Sequence, residues 1–296
     1  RHFHVVFTLP SELRPLAKAA PRAVFDALFA AASQTLLDLG DSRLGATFGV
    51  TAVLHTWTRD LRYHPHMHAL VTSGGLAHDQ SDWVRTGHDY LFPVEMMGTV
   101  FRAKMLACLH RLHEQGALTS FDELCDPQVF GRLMARIARA RWVVYAKKPF
   151  RRADHVLRYL GRYTHRVAIS SSRITSITDD AVTFRTKFGN SATVHPVEFV
   201  RRFVQHVLPA GFHKIRHFGL YASACVTDSL PAARTALTPR THAATVAPAT
   251  PSWRERLRVL TGYDVDRCRL CGGLVDHVPL ARPDLRSRAP PPRLAA

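Results

Sequence analysis

The stretch Tyr63-His64-Pro65-His66-Met67-His68-Ala69-Leu70-Val71 constrains the fold more than any other part of the chain. Its histidines stand at alternate positions, and alternate side chains of an extended strand share a face. His64, His66 and His68 then point one way, and Met67, Ala69 and Val71 the other. Such a strand belongs in a sheet that buries its apolar back and carries a row of imidazoles on its front, where several imidazoles in one space suit a metal ion. The chain contains 18 His in 296 residues, so roughly one His-x-His arises from composition alone, and two overlapping copies are expected on the order of 0.07 times. The surroundings must therefore carry the rest of the argument.

Just before this stretch, residues 49–57 (GVTAVLHTW) are rich in β-branched side chains and read as a strand. The polar connection 58–62 is short enough for an antiparallel hairpin. With the turn near Asp60-Leu61, His55 lies across from His66. Directly opposed side chains on one face are about 4.5–5.5 Å apart, so His55 is a candidate third ligand; a histidine that simply packs in the sheet is the alternative.

The remaining chain supplies cover for such a sheet. Residues 3–9 (FHVVFTL) read as a strand stopped by Pro10, with Ser11 capping a short turn. Residues 21–39 read as a helix, with Pro21 in its first turn and Gly40 near its end. Amphipathic helices are expected over 94–116 and 126–141, a short strand over 142–145 and a basic loop over 147–152. Residues 153–166 (ADHVLRYLGRYTHR) read as a helix placing His155, Tyr159 and Tyr163 on one face and Arg158, Arg162 and Arg166 in a second row. Short strands follow over 167–188, then a helix over 196–208 and a basic strand or turn at 213–217. Residues 229–252 are Ala, Thr and Pro rich and read as a linker, followed by a short helix over 253–261. Cys268-x-x-Cys271-Gly272-Gly273 resembles half of a zinc knuckle; a closed zinc site needs four ligands, and only His277 is near. The Pro/Arg tail is expected to be disordered.

Charge indicates the partner. Forty Lys+Arg against 23 Asp+Glu leave a formal charge of +17, which favours a polyanion, most often nucleic acid. Lys147, Lys148, Arg158, Arg162, Arg166, Lys214 and Arg216 are the candidate phosphate contacts. The five cysteines form no disulfide framework, which fits a reducing cytoplasm, and neither a membrane span nor a signal peptide is expected. The chain begins at Arg1 inside a strand-like run and reads as part of a longer protein.

Histidines on a strand, two tyrosines one helical turn apart and a basic chain together suit phosphodiester chemistry. A metal held by histidines keeps positions open for phosphate oxygens, and a tyrosine hydroxyl can attack phosphorus. The blocks HFHVVFTLP, AVLHTW, HPHMHALV with SGGL, WVVYAKKPF, HVLRYLGRYTHRVAIS and GFHKIRHFGLYAS resemble, in order, those of the HUH-type (His-hydrophobic-His) two-tyrosine transposases of rolling-circle insertion sequences. The resemblance covers residues 1 to 225 and implies an α+β fold with a central antiparallel sheet flanked by helices. It further implies a divalent metal (magnesium or manganese), single-stranded DNA of element ends and target as substrate, and a bacterial, nucleoid-associated setting without membrane or nucleotide cofactor. His66 and His68 match its metal pair, and Tyr159 and Tyr163 its nucleophiles. His55 is the third ligand by geometry, with His155 as its rival. The family's upstream Cys/His-rich zinc segment is absent from this sequence. The expected organisation is a catalytic domain over 1–228, a linker over 229–252, and a short helix, Cys-x-x-Cys knuckle and flexible tail over 253–296. A replication initiator or relaxase of the same chemistry, and a non-catalytic DNA-binding protein, are the alternatives.

Overall fold

The computed structural model describes residues 1–87, 91–118, 126–150, 168–187, 189–238, 252–268 and 270–276. Chain contacts divide it into two compact units, Arg1–His242 and Ala243–Ala296.

The first unit is built on an antiparallel sheet. Its strands are β1 (His2–Thr8), β2 (Ala46–Trp57), β3 (Tyr63–Ala77), the two-residue β4 (Trp83–Val84), β5 (Val143–Phe150) and, further along the chain, Ile215–Gly219. The order is β5-β1-β3-β2 followed by Ile215–Gly219, with β4 paired to β3. The mixed α+β class and the central antiparallel sheet are as expected from the sequence. One face is closed by α1 (Arg14–Ala19), α2 (Pro21–Leu44), α3 (Val94–Glu114) and α4 (Pro127–Arg139), and the core lies between them. Phe3, Val5 and Phe7 of β1, Phe48, Val50, Ala52 and Leu54 of β2, and Met67, Ala69 and Val71 of β3 all enter that core. The period of two thus commits every second residue to the helices. The odd-numbered side chains of β3 form the apolar back, and the histidines face away from the helices.

Helix α2 passes Gly40 and ends at Gly45, whose φ of 57° is left-handed, so it is longer than expected. By length and composition α2 could cross a membrane, but 67% of its most apolar stretch is buried in the unit's interior, which identifies a core helix. Pro10, not Ser11, precedes the first helical turn, because the Ser11 hydroxyl bonds Glu12 instead of a backbone amide. Strand β5 runs to Phe150, so Lys147 and Lys148 lie in an edge strand and not in a loop; pairing with β1 extends the backbone there.

A smaller three-stranded sheet follows: β6 (Ile174–Ile177), β7 (Val182–Arg185) and β8 (Ser191–Val194). Residues 168–170, expected to be extended, belong to no strand, and Ser171–Arg173 is a 3-10 turn. Helix α5 (Pro196–Val204) packs Phe199 and Phe203 on this sheet, together with Leu61 from the turn between β2 and β3. Strand β9 (Ile215–Gly219) then joins the edge of β2. Where the composition suggests a linker, Ser229–Leu237 forms α6, with Pro231 in its first turn and Ala233 buried near Leu76 and Leu220. In the second unit, α7 (Trp253–Thr261) opens with a capping box between Ser252 and Glu255. The helix expected over 153–166 lies outside the described residues.

Candidate metal centre

Strands β2 and β3 position the histidines. The register places His55 directly opposite His66, the pairing expected from the hairpin length. His66 and His68 share a face of β3, and His55 meets them from β2, with its ring centroid 5.4 Å from His66 and 4.4 Å from His68. One ring nitrogen of each of the three lies within 4.8 Å of the others, the spacing of a group that can share one ion. His64 also lies beside His66, with ring centroids 5.2 Å apart, but it is not one of the converging three, and Arg14 takes its Nδ1 with a guanidinium nitrogen at 3.2 Å.

The hydrogen bonds set which nitrogens face the centre. His66 Nδ1 donates to its neighbour's backbone, the His64 carbonyl, at 2.6 Å, which leaves Nε2 as the ligand atom. His68 Nδ1 lies 2.9 Å from His4 Nε2, with the two rings nearly parallel. His68 can then offer Nε2 to a metal when His4 accepts. His4, buried at 5% exposure, is a residue that the sequence reading misses. A signal for it exists: His2 and His4 alternate in HFHVVF, as the histidines of β3 do. Trp57 stacks on His55 at 4.8 Å and fixes its ring plane.

Electrostatics keep the rings neutral. Burial, then the neighbouring His66, Lys214 and His4, lower the His55 pKa to about 2. Burial lowers His66 to about 4 against the raising effect of its bond to the His64 carbonyl. His68 is lowered well below the ordinary imidazole value by burial first and by His55, His66, His4 and Lys147 after it. Neutral imidazole is the metal-binding form, so the donor set fits a divalent ion. Two lysines flank it. Lys147 on β5 pairs with His4 of β1, and Lys214 precedes β9 with its carbonyl accepting from Leu54 N–H. Arg216 is placed otherwise: its guanidinium pairs with Asp26 of α2 and lies over the rings of Phe29 and Phe212, on the helix side of the sheet.

The other candidates divide as follows. Tyr159, Tyr163, Arg158, Arg162, Arg166 and His155 lie outside the described residues, as does His277. Cys268 and Cys271 form a tight turn in the second unit, where the Cys268 amide donates to the Gly273 carbonyl and the Gly272 amide to that of Cys268. Amide hydrogens of Cys271 and Leu270 lower the Cys268 thiol pKa. Two sulfurs are half of a tetrahedral zinc set.

Residues 49–228, which span His55, His66, His68, Tyr159 and Tyr163, match the Y2_Tnp family model, described as "Putative transposase". The chain belongs to the Y2 transposase family. It is 39% identical over 282 residues to "Putative transposase y4qJ" of Sinorhizobium fredii (strain NBRC 101917 / NGR234), covering 92% of this chain and 71% of that one. It is 30% identical over 283 residues to the transposase for insertion sequence element IS801 of Pseudomonas savastanoi pv. phaseolicola, covering 91% of this chain and 65% of that one. No solved structure matches. In this Y2 transposase the three converging histidines therefore lie in the part shared with the family.

Proposed function

We propose that this transposase cuts and rejoins single-stranded DNA through a covalent 5′-phosphotyrosine, using Tyr159 and Tyr163 as nucleophiles and a divalent ion, magnesium or manganese, at His55, His66 and His68. The observation that carries the reading is the convergence of His55, His66 and His68 on the sheet face opposite α1 to α4, in a chain whose family match also spans Tyr-x-x-x-Tyr.

A bound divalent ion supplies polarisation of the phosphodiester and neutralises charge that builds up at phosphorus. Lys147 and Lys214, on either side of the histidines, add fixed positive charge for the phosphate oxygens. Lys148 and the arginine row Arg158, Arg162 and Arg166 bind backbone phosphates further along the strand. The tyrosine oxygen bonds to phosphorus as the P–O3′ bond breaks, and the 3′-oxygen leaves as a hydroxyl after taking up a proton. A phenol of ordinary pKa about 10 is a weak nucleophile, so surrounding cations that favour its ionised form are part of the design. The free energy of the broken ester is kept in the new phosphotyrosine ester, and a second 3′-hydroxyl can attack that phosphorus, releasing the tyrosine as a phenol and joining the strands without ATP. Two nucleophiles one helical turn apart permit the two linked cleavages that rolling-circle transposition requires. The setting is the bacterial cytoplasm, beside the nucleoid. A zinc ion at Cys268 and Cys271 would need further ligands and serve structure, not chemistry.

Incubation of the protein with manganese and single-stranded oligonucleotides spanning the ends of its own element tests this directly. A covalent protein–DNA adduct is expected on denaturing gels and is lost in the Tyr159→Phe/Tyr163→Phe double variant. His66→Ala abolishes cleavage while retaining most DNA affinity, since backbone charge supplies most of that affinity. DNA binding with no adduct under any divalent metal would refute the enzyme, and unchanged cleavage by His66→Ala would refute the metal centre.

A further inference from the structure

A cavity of about 500 Å³ opens at the end of the main sheet remote from the hairpin turn, between the ends of β1 and β3, β4 and α6. Its size is that of a small-molecule site. It shares with the histidines the sheet face opposite α1 to α4: Thr72, in its wall, has the same parity on β3 as His66 and His68, and His2 the same parity on β1 as His4. Thr72 lies four positions beyond His68, roughly 13 Å along the strand.

Its chemistry is mixed in a particular way. Leu220 and Ala233 are buried behind it, and two aromatic rings, Trp83 and Tyr221, line it. Both rings are seated where a strand has no side chain. A Cβ at Gly49 would come within 2.8–2.9 Å of the Tyr221 ring carbons, and one at Gly74 would overlap Trp83 Nε1. The Tyr221 hydroxyl is held from β1 by His2 Nε2 at 2.9 Å. The rings are thus fixed on the sheet before any ligand arrives, which lowers the ordering cost of binding. Arg85 and Arg234 stand at the cavity wall, exposed, and among the described residues neither has an acidic partner. An apolar ligand would leave those guanidiniums unused, and a bare anion would leave the rings unused. Aromatic faces with adjacent cations match a nucleobase and its phosphate.

We propose that this cavity binds one unpaired nucleotide of the DNA strand, its base against Trp83 and Tyr221 and its phosphate against Arg85 and Arg234. It grips the strand a few nucleotides from the bond that is cut and so sets which bond reaches the histidines. The inference rests on single-stranded DNA as the substrate.

The probe is a short oligothymidylate in which 5-iodouracil replaces thymine, bound with metal withheld and then irradiated, with affinities read by fluorescence anisotropy. Crosslinks are expected on the peptide carrying Trp83 or that carrying Tyr221. Gly49→Ala, which displaces the Tyr221 ring, weakens oligothymidylate binding about tenfold, the loss of one stacked base. The exposed Arg234→Glu keeps the thermal midpoint and lowers the slope of log affinity against log salt by at least about 0.7, one phosphate contact on a single strand. Oligonucleotide bound with crosslinks only elsewhere and with both variants binding as wild type would overturn the pocket and leave the strand-cutting reading intact. Oligonucleotide not bound at all would overturn both.

Discussion

Replacing His4 tests whether the proposed metal site is held by residues behind its ligands. As a ligand, His68 would present Nε2 only as the Nδ1–H tautomer, and the acceptor in reach of that hydrogen is His4 Nε2, 2.9 Å away. If the hydrogen sat on His4 Nε2 instead, His68 would carry its proton on Nε2 and lose its metal-binding lone pair. His4→Phe removes the acceptor while keeping a flat ring beside His68 and Phe150, whose centroids lie 5.1 and 6.4 Å from that of His4. Loss of such a partner behind a metal-bound histidine costs about 10- to 100-fold in affinity, or about 1.4 to 2.7 kcal/mol. His4→Gln, with an amide oxygen able to accept, should recover most of it. Calorimetric titration of the metal-free protein with manganese reads the dissociation constant, and thermal melts without metal separate a folding defect from a binding one. Equal manganese affinity in His4→Phe and wild type would show that His4 does not position His68.

Two further perturbations address the scaffold. Leu61 adopts a positive φ of 62° in the β2–β3 turn while fully buried with Val182 and Phe184, so its packing holds an unfavourable backbone in place. Leu61→Ala should cost about 2–5 kcal/mol, a fall in thermal midpoint of about 4–20 °C, and a melt within about 2 °C of wild type would contradict it. His206 is buried between Thr56 and the Leu61 carbonyl, and burial holds its pKa at about 4, against a value of 6.5 when unfolded. Between those values the unfolded chain takes up a proton that the folded chain does not, so stability is full above 6.5, falls as pH drops and levels off below 4. The loss attributable to this residue is up to about 3 kcal/mol. Urea titrations across the window should show a shallower pH dependence in His206→Gln, and identical slopes would exclude His206 as a source of the acid sensitivity.

Local patterns in the sequence carry much of the site. A period of two places His66 and His68 on one face, and a five-residue connection puts His55 opposite His66. The capping box at Ser252 and Glu255 likewise marks the start of α7, the helix expected over 253–261. These features are legible because each depends on neighbours within one hairpin or one helical turn. The basic stretch at Lys147 cannot be read in the same way. Charge suggests a loop, whereas β1 captures it as an edge strand and brings Lys147 beside His4. Arg216 lies in an equally basic stretch, yet its parity on β9 turns it to Asp26 and the phenylalanines of the core.

Which residues share a face is written in the order of the amino acids, because side-chain periodicity is a property of the local backbone. Which faces meet is settled by packing. His4 finds His68 across 64 residues and Tyr221 finds His2 across 219. The strand order β5-β1-β3-β2-β9 brings them together, and burial of one common apolar face against α2 and α3 fixes that order. No local pattern encodes the choice of partner strand, because the free energy that makes it belongs to the assembled core as a whole.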